Sequence, residues 1–174
     1  MRYPIDATFL DKNDRVVKVV KNTKTGNPFI KSVVLTDNDC CTNKKDEDYI
    51  SLDIDFDCSQ ETLTTIKQKL NAGTPSDRCL RIQELCKTHN VACFTAQKTL
   101  EYELALPEEN IPIILRAIKK IHPTTGKELE DLIAKEQDSQ FKSIRIWLFI
   151  QARHKDKALF AQTLCDEILS IENE

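Results

Sequence analysis

The sequence predicts a mixed α/β chain: a small parallel sheet with flanking helices, followed by an all-helical C-terminal segment. Three observations carry this. The run Val33-Val34-Leu35 is apolar and largely β-branched, and it ends abruptly in Asp37-Asn38-Asp39 with no glycine or proline between. Uninterrupted apolar runs of this kind are what strands buried on both faces of a parallel sheet look like. A second short run, Val91-Ala92-Cys93-Phe94, returns after two helical patterns, and beyond Thr99 every periodic segment is helical.

In chain order, residues 1–31 read as a polar N-terminal segment. Within it, 9–20 predict a short hairpin around Lys12-Asn13-Asp14, and Thr25-Gly26-Asn27-Pro28 predicts a turn. A buried strand over 32–36 and a charged loop over 42–48 follow. Over 49–56 the pattern alternates, with Ile50, Leu52, Ile54 and Phe56 on one face and Asp53, Asp55 and Asp57 opposite. This is a strand with one wet face or an extended loop. A calcium loop beginning at Asp53 would need glycine where Cys58 stands and glutamate where Thr64 stands, so that reading fails.

Ser59 caps a predicted helix to about residue 71, with Glu61 in its first turn. Asp77 caps a second to about residue 88, built on Leu80, Ile82, Leu85 and Cys86. Residues 90–96 form another short buried strand. Helices are then expected over 99–105, 108–121, 124–135, 138–152 and 157–171. The organisation is an N-terminal segment 1–31, an α/β region 32–106 and a helical region 107–174.

The composition is that of an ordinary globular protein: 174 residues, 40% apolar and 30% charged. Only three glycines and six prolines argue against long linkers. A net charge of −3 excludes the global attraction to nucleic acid that very basic domains show. The candidate local patch is Arg153 and Lys155, with Lys142 and Arg145 on the preceding helix. The same charges would equally make a solvated basic helix end.

Seven cysteines, an odd count without a secretory pattern in the first residues, argue for reduced thiols and a cytoplasmic location. No Cys-x-x-Cys occurs, and Cys79, Cys86 and Cys93 have no histidine at zinc-ligand spacing, so buried core thiols are expected. The greasiest stretch, 144–150, is broken by Arg145 and too short to span a bilayer.

Asp37 and Asp39 carry the first chemical signal. Residues two apart on a strand point the same way, about 6–7 Å apart along the backbone. Open α/β sheets bind ligands beyond the carboxyl ends of their strands. Carboxylates so placed repel unless a cation lies between them, which points to a hard divalent metal such as Mg²⁺. The competing reading is a turn, where Asp and Asn side chains bond the backbone locally. On these residues alone both readings stand.

Thr99 is a candidate N-cap, and Glu101 in the first turn is favoured by the helix dipole. Glu101 and Glu103 lie about 200° apart on a helix, so one alone is expected to face a given site. Glu101 is otherwise a dipole-matched surface acid. Lys157 begins the last helix, where a cation opposes the dipole; otherwise it is a solvated lysine. Thr36 and Lys98 read as local hydrogen-bonders or solvated charge, and His122 as a turn residue before Pro123.

Four segments in order resemble the C-terminal Toprim region of the overcoming-lysogenisation-defect (OLD) family of ATP-dependent endonucleases. Val33-Val34-Leu35-Thr36-Asp37-Asn38-Asp39 resembles the Toprim Asp-x-Asp strand. Thr99-Leu100-Glu101-Tyr102-Glu103-Leu104-Ala105 resembles the family's Thr-Leu-Glu-Tyr-Asp-Leu-Ala segment. Ile121-His122-Pro123 resembles its Leu-His-Pro turn, and Lys157-Ala158-Leu159-Phe160-Ala161-Gln162 its Lys-Gly-x-Phe-Ala-Gln. The resemblance runs from Val33 to about Ile168.

It implies a partial Toprim-like sheet over 32–106 and hydrolysis of DNA phosphodiesters by a two-metal centre using Mg²⁺ or Mn²⁺. It implies Asp37, Asp39 and Glu101 as metal ligands, Glu101 and Lys157 as catalytic groups, and DNA as partner. Two departures matter. A Toprim sheet carries a glutamate on a strand upstream of Asp-x-Asp, and here no glutamate precedes Glu47. No Walker phosphate loop occurs, so the chain has no ATP site of its own. The expectation is therefore a truncated module, or one dependent on an ATPase subunit, an upstream segment or self-association. The alternative is a catalytically inactive Toprim-like module that binds DNA or protein. Ala158 also replaces the family's glycine.

Overall fold

The computed structural model describes residues 7–10, 16–20, 33–38, 40–41, 49–51, 53–89 and 91–171. The expected turns at 12–14 and 25–28 and the charged loop at 42–48 lie outside them, as does Asp39. The described chain is mostly helical, with two small sheets. The predicted hairpin is present: β1 (Ala7–Leu10) pairs antiparallel with β2 (Val16–Val20), with a register shift between Phe9 and Leu10.

β3 (Val33–Asp37) pairs parallel with β4 (Ala92–Ala96), Val33 opposite Ala92 through to Asp37 opposite Ala96. Parallel strands need a long crossover, and here it contains α1 (Gln60–Ala72) and α2 (Asp77–Thr88). α2 packs on both strands. The other face is open, which corrects the expectation of strands buried on both sides: Leu35 is 69% exposed and its cross-strand partner Phe94 61%. The physical reason is that only one helix layer covers this two-stranded sheet among the described residues.

The 49–58 segment keeps the predicted alternation without strand pairing among its described residues. Ile50 and Phe56 are buried and Ile54 half-buried, while Asp53, Asp55 and Asp57 are exposed. It is the extended-loop alternative, closed by a turn in which Cys58 N donates to Asp55 O at 3.2 Å.

α1 starts where Ser59 predicts, its side chain accepting from Thr62 N, and buries Leu63, Ile66 and Leu70 on one face. α2 is capped one residue earlier than expected. Ser76 accepts from Cys79 N, and Asp77 becomes a first-turn acid favoured by the dipole.

Thr99 caps the short α3 (Leu100–Ala105). A 3₁₀ turn, Glu108–Asn110, leads into α4 (Ile111–Ile121). His122 then turns the chain into α5 (Pro123–Ile133), with Pro123 at its first position. The two helices meet closely at Gly126, where a Cβ would lie 3.1 Å from Lys119 Cα. Asp138 caps α6 (Ser139–Ala152) by accepting from Gln140 N and Phe141 N, and α7 (Lys157–Ile171) follows.

α6 is the centre of the fold. Every residue from Ser143 to Ile150 is buried, which marks a helix surrounded on all sides. α1, α3 and α5 pack around it, and α4 packs with α5 and α7. A single core cluster runs from Cys40 to Leu164, so the α/β and helical regions share one interior. Ser143 Oγ donating to Ala105 O at 2.9 Å and Gln140 Nε2 donating to Tyr102 OH at 2.8 Å join them. No helix among the described residues is long and apolar enough to cross a membrane.

Candidate functional site

The site forms where β3 and β4 end and α3 begins. Asp37 is the last residue of β3, in register with Ala96. β4 ends there too, and Gln97-Lys98-Thr99 lead into α3. The first amides of a helix have no intrahelical partner. Two of those here are satisfied by the predicted residues: Leu100 N donates to Asp37 Oδ1 at 2.7 Å, and Tyr102 N donates to Thr99 Oγ1 at 3.4 Å. Asp37 thus stands at a strand end, as a metal-binding carboxylate would. It also bonds backbone, as the competing reading required, though across the fold at α3 rather than in a local turn.

Glu101 meets Lys157. Their side chains form an ion pair at 3.2 Å, with Glu101 18% and Lys157 34% exposed. Burial works against ionisation of Glu101. Its own backbone amide, Lys157 and the Thr99 hydroxyl outweigh burial and hold the carboxyl below the ordinary glutamate range. The first helix turn and the start of the last helix are therefore joined through the two charged residues singled out in each.

An open cleft of about 690 Å³ is lined by Asp37, Glu101 and Glu103, with Arg78 and the apolar Leu35, Phe94 and Leu100. Both glutamates face it, against the expectation that only one would. α3 is a single short helix at the cleft mouth, and Glu103 folds back so that its Oε2 accepts from Gln97 N at 2.9 Å.

Lys98 is not the solvated charge expected from sequence. It is 3% exposed, its Nζ donates to Cys40 O, and it lies 5.6 Å from the centre of the Trp147 ring. Cys40 Sγ donates to Gln97 O at 3.2 Å, so this short segment is clamped from both sides. Thr36 is a local hydrogen-bonder, its Oγ1 3.5 Å from Asp37 O. His122 is a turn residue, 3.3 Å from Asp156 Oδ2 and edge-on to Phe149.

The basic face drawn from the sequence is largely dismantled. Arg145 is buried, and this corrects its assignment as a nucleic-acid contact. Its Nε and Nη2 donate to Glu136 Oε1 at 2.9 and 2.8 Å, and its Nη1 donates to the carbonyls of Phe56 and Cys58. A charge on an apolar helix must find such partners to be buried at all. Lys142 pairs with Glu108 at 3.1 Å. Arg153 lies 3.8 Å from the centre of the Phe149 ring and donates to Phe149 O at 3.1 Å. Lys155 is exposed.

Two of the three expected metal ligands, Asp37 and Glu101, line the cleft, and Asp39 lies outside the described residues. Asp37 and Glu101 offer carboxylate oxygens. Asn38 Oδ1, beside Asp37, is buried without a hydrogen-bond partner among the described residues, although Asn38 N donates to Ala96 O and Asn38 O accepts from Ser76 N. A buried acceptor left unpaired costs about 1–3 kcal/mol; Asn38 is not among the residues that line the cleft. Among the described residues no three acids, thiols or imidazoles converge as a ready-made cage.

Arg78, Phe94 and Glu103 were not singled out from sequence. Their signals were faint: a capped helix start, one aromatic in an apolar run, and a glutamate two residues from the favoured one.

No family model matches this chain, and no curated protein or solved structure matches it at a significant level.

Proposed function

We propose that the chain is a metal-dependent DNA endonuclease module of Toprim type, similar to the C-terminal region of OLD-family nucleases. In this reading Asp37, Asp39 and Glu101 hold Mg²⁺ or Mn²⁺, and a partner or upstream segment supplies the missing glutamate. The observation that carries it is the meeting of motifs. Asp37 bonds the first amide of the helix that bears Glu101, and Glu101 pairs with Lys157 from the last motif. Asp37 and Glu101 line one cleft, and Lys157 reaches Glu101 from the last helix.

The metals would supply Lewis acidity and an activated water. The chain's own residues do the rest. The backbone amide of Glu101, Lys157 and Thr99 keep Glu101 ionised, and a metal would compete with Lys157 for it. Leu100 N fixes one Asp37 oxygen, orienting the carboxylate at the strand end. Lys157 would offset phosphate charge as it develops. Of the basic residues expected on the DNA backbone, Lys155 is exposed, while Lys142 would have to leave Glu108 and Arg153 would have to leave Phe149.

The test is a plasmid-nicking assay in Mn²⁺ with the purified chain and its Asp37→Ala and Lys157→Ala variants. Little or no nicking is expected from the chain alone, since losing a carboxylate from a metal centre misplaces the nucleophile. Nicking should appear when a glutamate-bearing partner segment is added, and only with wild-type Asp37 and Lys157. Robust nicking by the chain alone would show the upstream glutamate to be dispensable. Nicking that survives both substitutions would refute the site.

A second reading, a binding module that no longer cuts, is favoured by specific contacts. One Asp37 oxygen is already engaged by Leu100 N, and Glu101 is already neutralised by Lys157. DNA binding that is indifferent to Mn²⁺ and to Asp37→Ala would support it.

A further inference from the structure

Three of the seven cysteines meet where α2 packs on β4. Cys79 and Cys86 belong to the buried face of α2. Along β4 exposure alternates: Ala92 and Phe94 are exposed, while Cys93 and Thr95, on the opposite face, are half-buried toward α2. Val91 N donates to Cys86 O at 2.8 Å, so the chain turns back along α2 from a point beside Cys86. Two residues on, the Cys93 thiol is in hydrogen-bond contact with Cys86, and Cys79 is near enough to act on it through its charge.

Geometry selects one pair from the three. Cys79 and Cys86 stand seven residues apart on one helix, about 10.5 Å along its axis, whereas a disulfide needs Cα atoms within about 7 Å. Cys86 and Cys93 already touch, across a helix–strand interface that holds them together. Cys86 is 7% exposed and Cys93 half-buried, so access is through Cys93 and suits a small oxidant.

We propose that Cys86 and Cys93 are a peroxide-oxidisable thiol pair that closes to a disulfide stapling α2 to β4. The Cys93 sulfur gives up its proton and attacks one peroxide oxygen. The O–O bond breaks, a water leaves, and Cys93 becomes a sulfenic acid. The Cys86 sulfur then attacks the Cys93 sulfur, its proton goes to the departing hydroxyl, and a second water leaves. Two thiols are thereby oxidised to one disulfide as one peroxide is reduced to two waters. Burial and the contact with Cys86 push the Cys93 thiol up to about 11, which makes the first step slow near neutral pH. The second step is fast because its reactants are held in contact. The pair answers sustained oxidation, and it closes before Cys93 passes to the irreversible sulfinic acid. None of this depends on the nuclease reading.

The spacing supplies an internal control, since Cys86 lies seven residues from both Cys79 and Cys93. Closure in an unfolded chain depends on loop length, so there Cys86 should join either one equally. The test treats the reduced, folded chain with hydrogen peroxide, in a Cys165→Ser background that removes the exposed thiol. The chain is then unfolded, its remaining thiols are blocked with N-ethylmaleimide, and it is digested with trypsin without reduction. Cleavage after Arg78, Arg81, Lys87 and Lys98 puts Cys79, Cys86 and Cys93 on separate peptides, 79–81, 82–87 and 88–98. Mass spectrometry should find 82–87 joined to 88–98 at least about tenfold more than to 79–81, with dithiothreitol parting them. The same oxidation in urea should bring that ratio close to unity. Cys86→Ala, its fold checked by circular dichroism, should leave Cys93 to advance to the sulfinic acid.

A ratio near unity in the folded chain, or a main product that joins Cys79 to either partner, overturns the proposal. So does recovery of wild-type Cys93 as the maleimide adduct or the sulfinic acid with Cys86 still reduced. The wild-type pair decides these outcomes, so they stand even if Cys86→Ala fails to fold.

Discussion

Replacing Arg145 with alanine should destabilise the fold by about 3–5 kcal/mol, the range for breaking a buried ion pair. The substitution strips two hydrogen bonds from Glu136 Oε1 and leaves the carbonyls of Phe56 and Cys58 without their donor. Glu136 would keep its bond from Gln60 Nε2 at 2.8 Å, which places the loss toward the lower end. Each buried acceptor left unpaired costs about 1–3 kcal/mol on its own, so the carbonyls alone sustain a substantial effect. Domains have only about 5–15 kcal/mol in total. In urea, with m of about 1–3 kcal/mol/M, the midpoint should fall by more than about 1 M. Pairing Arg145→Met with Glu136→Leu should recover much of the loss, because removing both charges leaves none uncompensated. A loss under about 0.5 kcal/mol, typical of surface positions, would refute the buried network. If DNA binding weakened at the same time, Arg145 would return to the surface patch.

Asp37→Asn should keep the fold, because an amide oxygen can still accept from Leu100 N, yet abolish most Mn²⁺ binding in calorimetry. Asp55→Asn, on the exposed face of its loop, should leave Mn²⁺ binding unchanged, and equal losses for both would contradict the assignment. Lys157→Met should raise the Glu101 carboxyl toward or above the ordinary range, followed by side-chain carboxyl NMR. The stabilisation from Glu101 is present above its unfolded pKa and is lost as pH falls through its lower folded value. The Lys157→Met variant should therefore show a smaller acid-side loss of stability than wild type. Burial, then the hydrogen bond and charge of Cys86 and the charge of Cys79, push the Cys93 thiol up to about 11. Exposed Cys165 should therefore react with iodoacetamide well before Cys93, as read by mass spectrometry after partial labelling.

Much of the helical layout was legible because caps and periodicity are local. Ser59, Thr99 and Asp138 each sit before an apolar period and each accepts from an amide in the next turn. The α2 start shifted by one residue because Ser76 and Asp77 are both good caps, and only geometry decides between neighbours. The strand run was read as doubly buried because composition reports apolarity and not the number of layers; Leu35 is apolar and exposed. Arg145 was misread for a related reason. Charge in a sequence suggests surface, and the partners that let it be buried, Glu136 and two carbonyls, come from other elements. The pairing of Glu101 with Lys157 has no local signal at all. They lie on different helices far apart in the chain, and the contact between them is a tertiary fact.

The proposed nuclease chemistry requires a divalent cation at the end of β3, between the strand-end acids and α3. Crystals of the chain soaked in Mn²⁺, with anomalous scattering collected at the manganese edge, test it directly. An anomalous peak is expected within ligand distance of Asp37 and Glu101 and should be lost in Asp37→Asn crystals. No peak at saturating Mn²⁺, or a peak confined to the exposed aspartates at Asp53, Asp55 and Asp57, would contradict it.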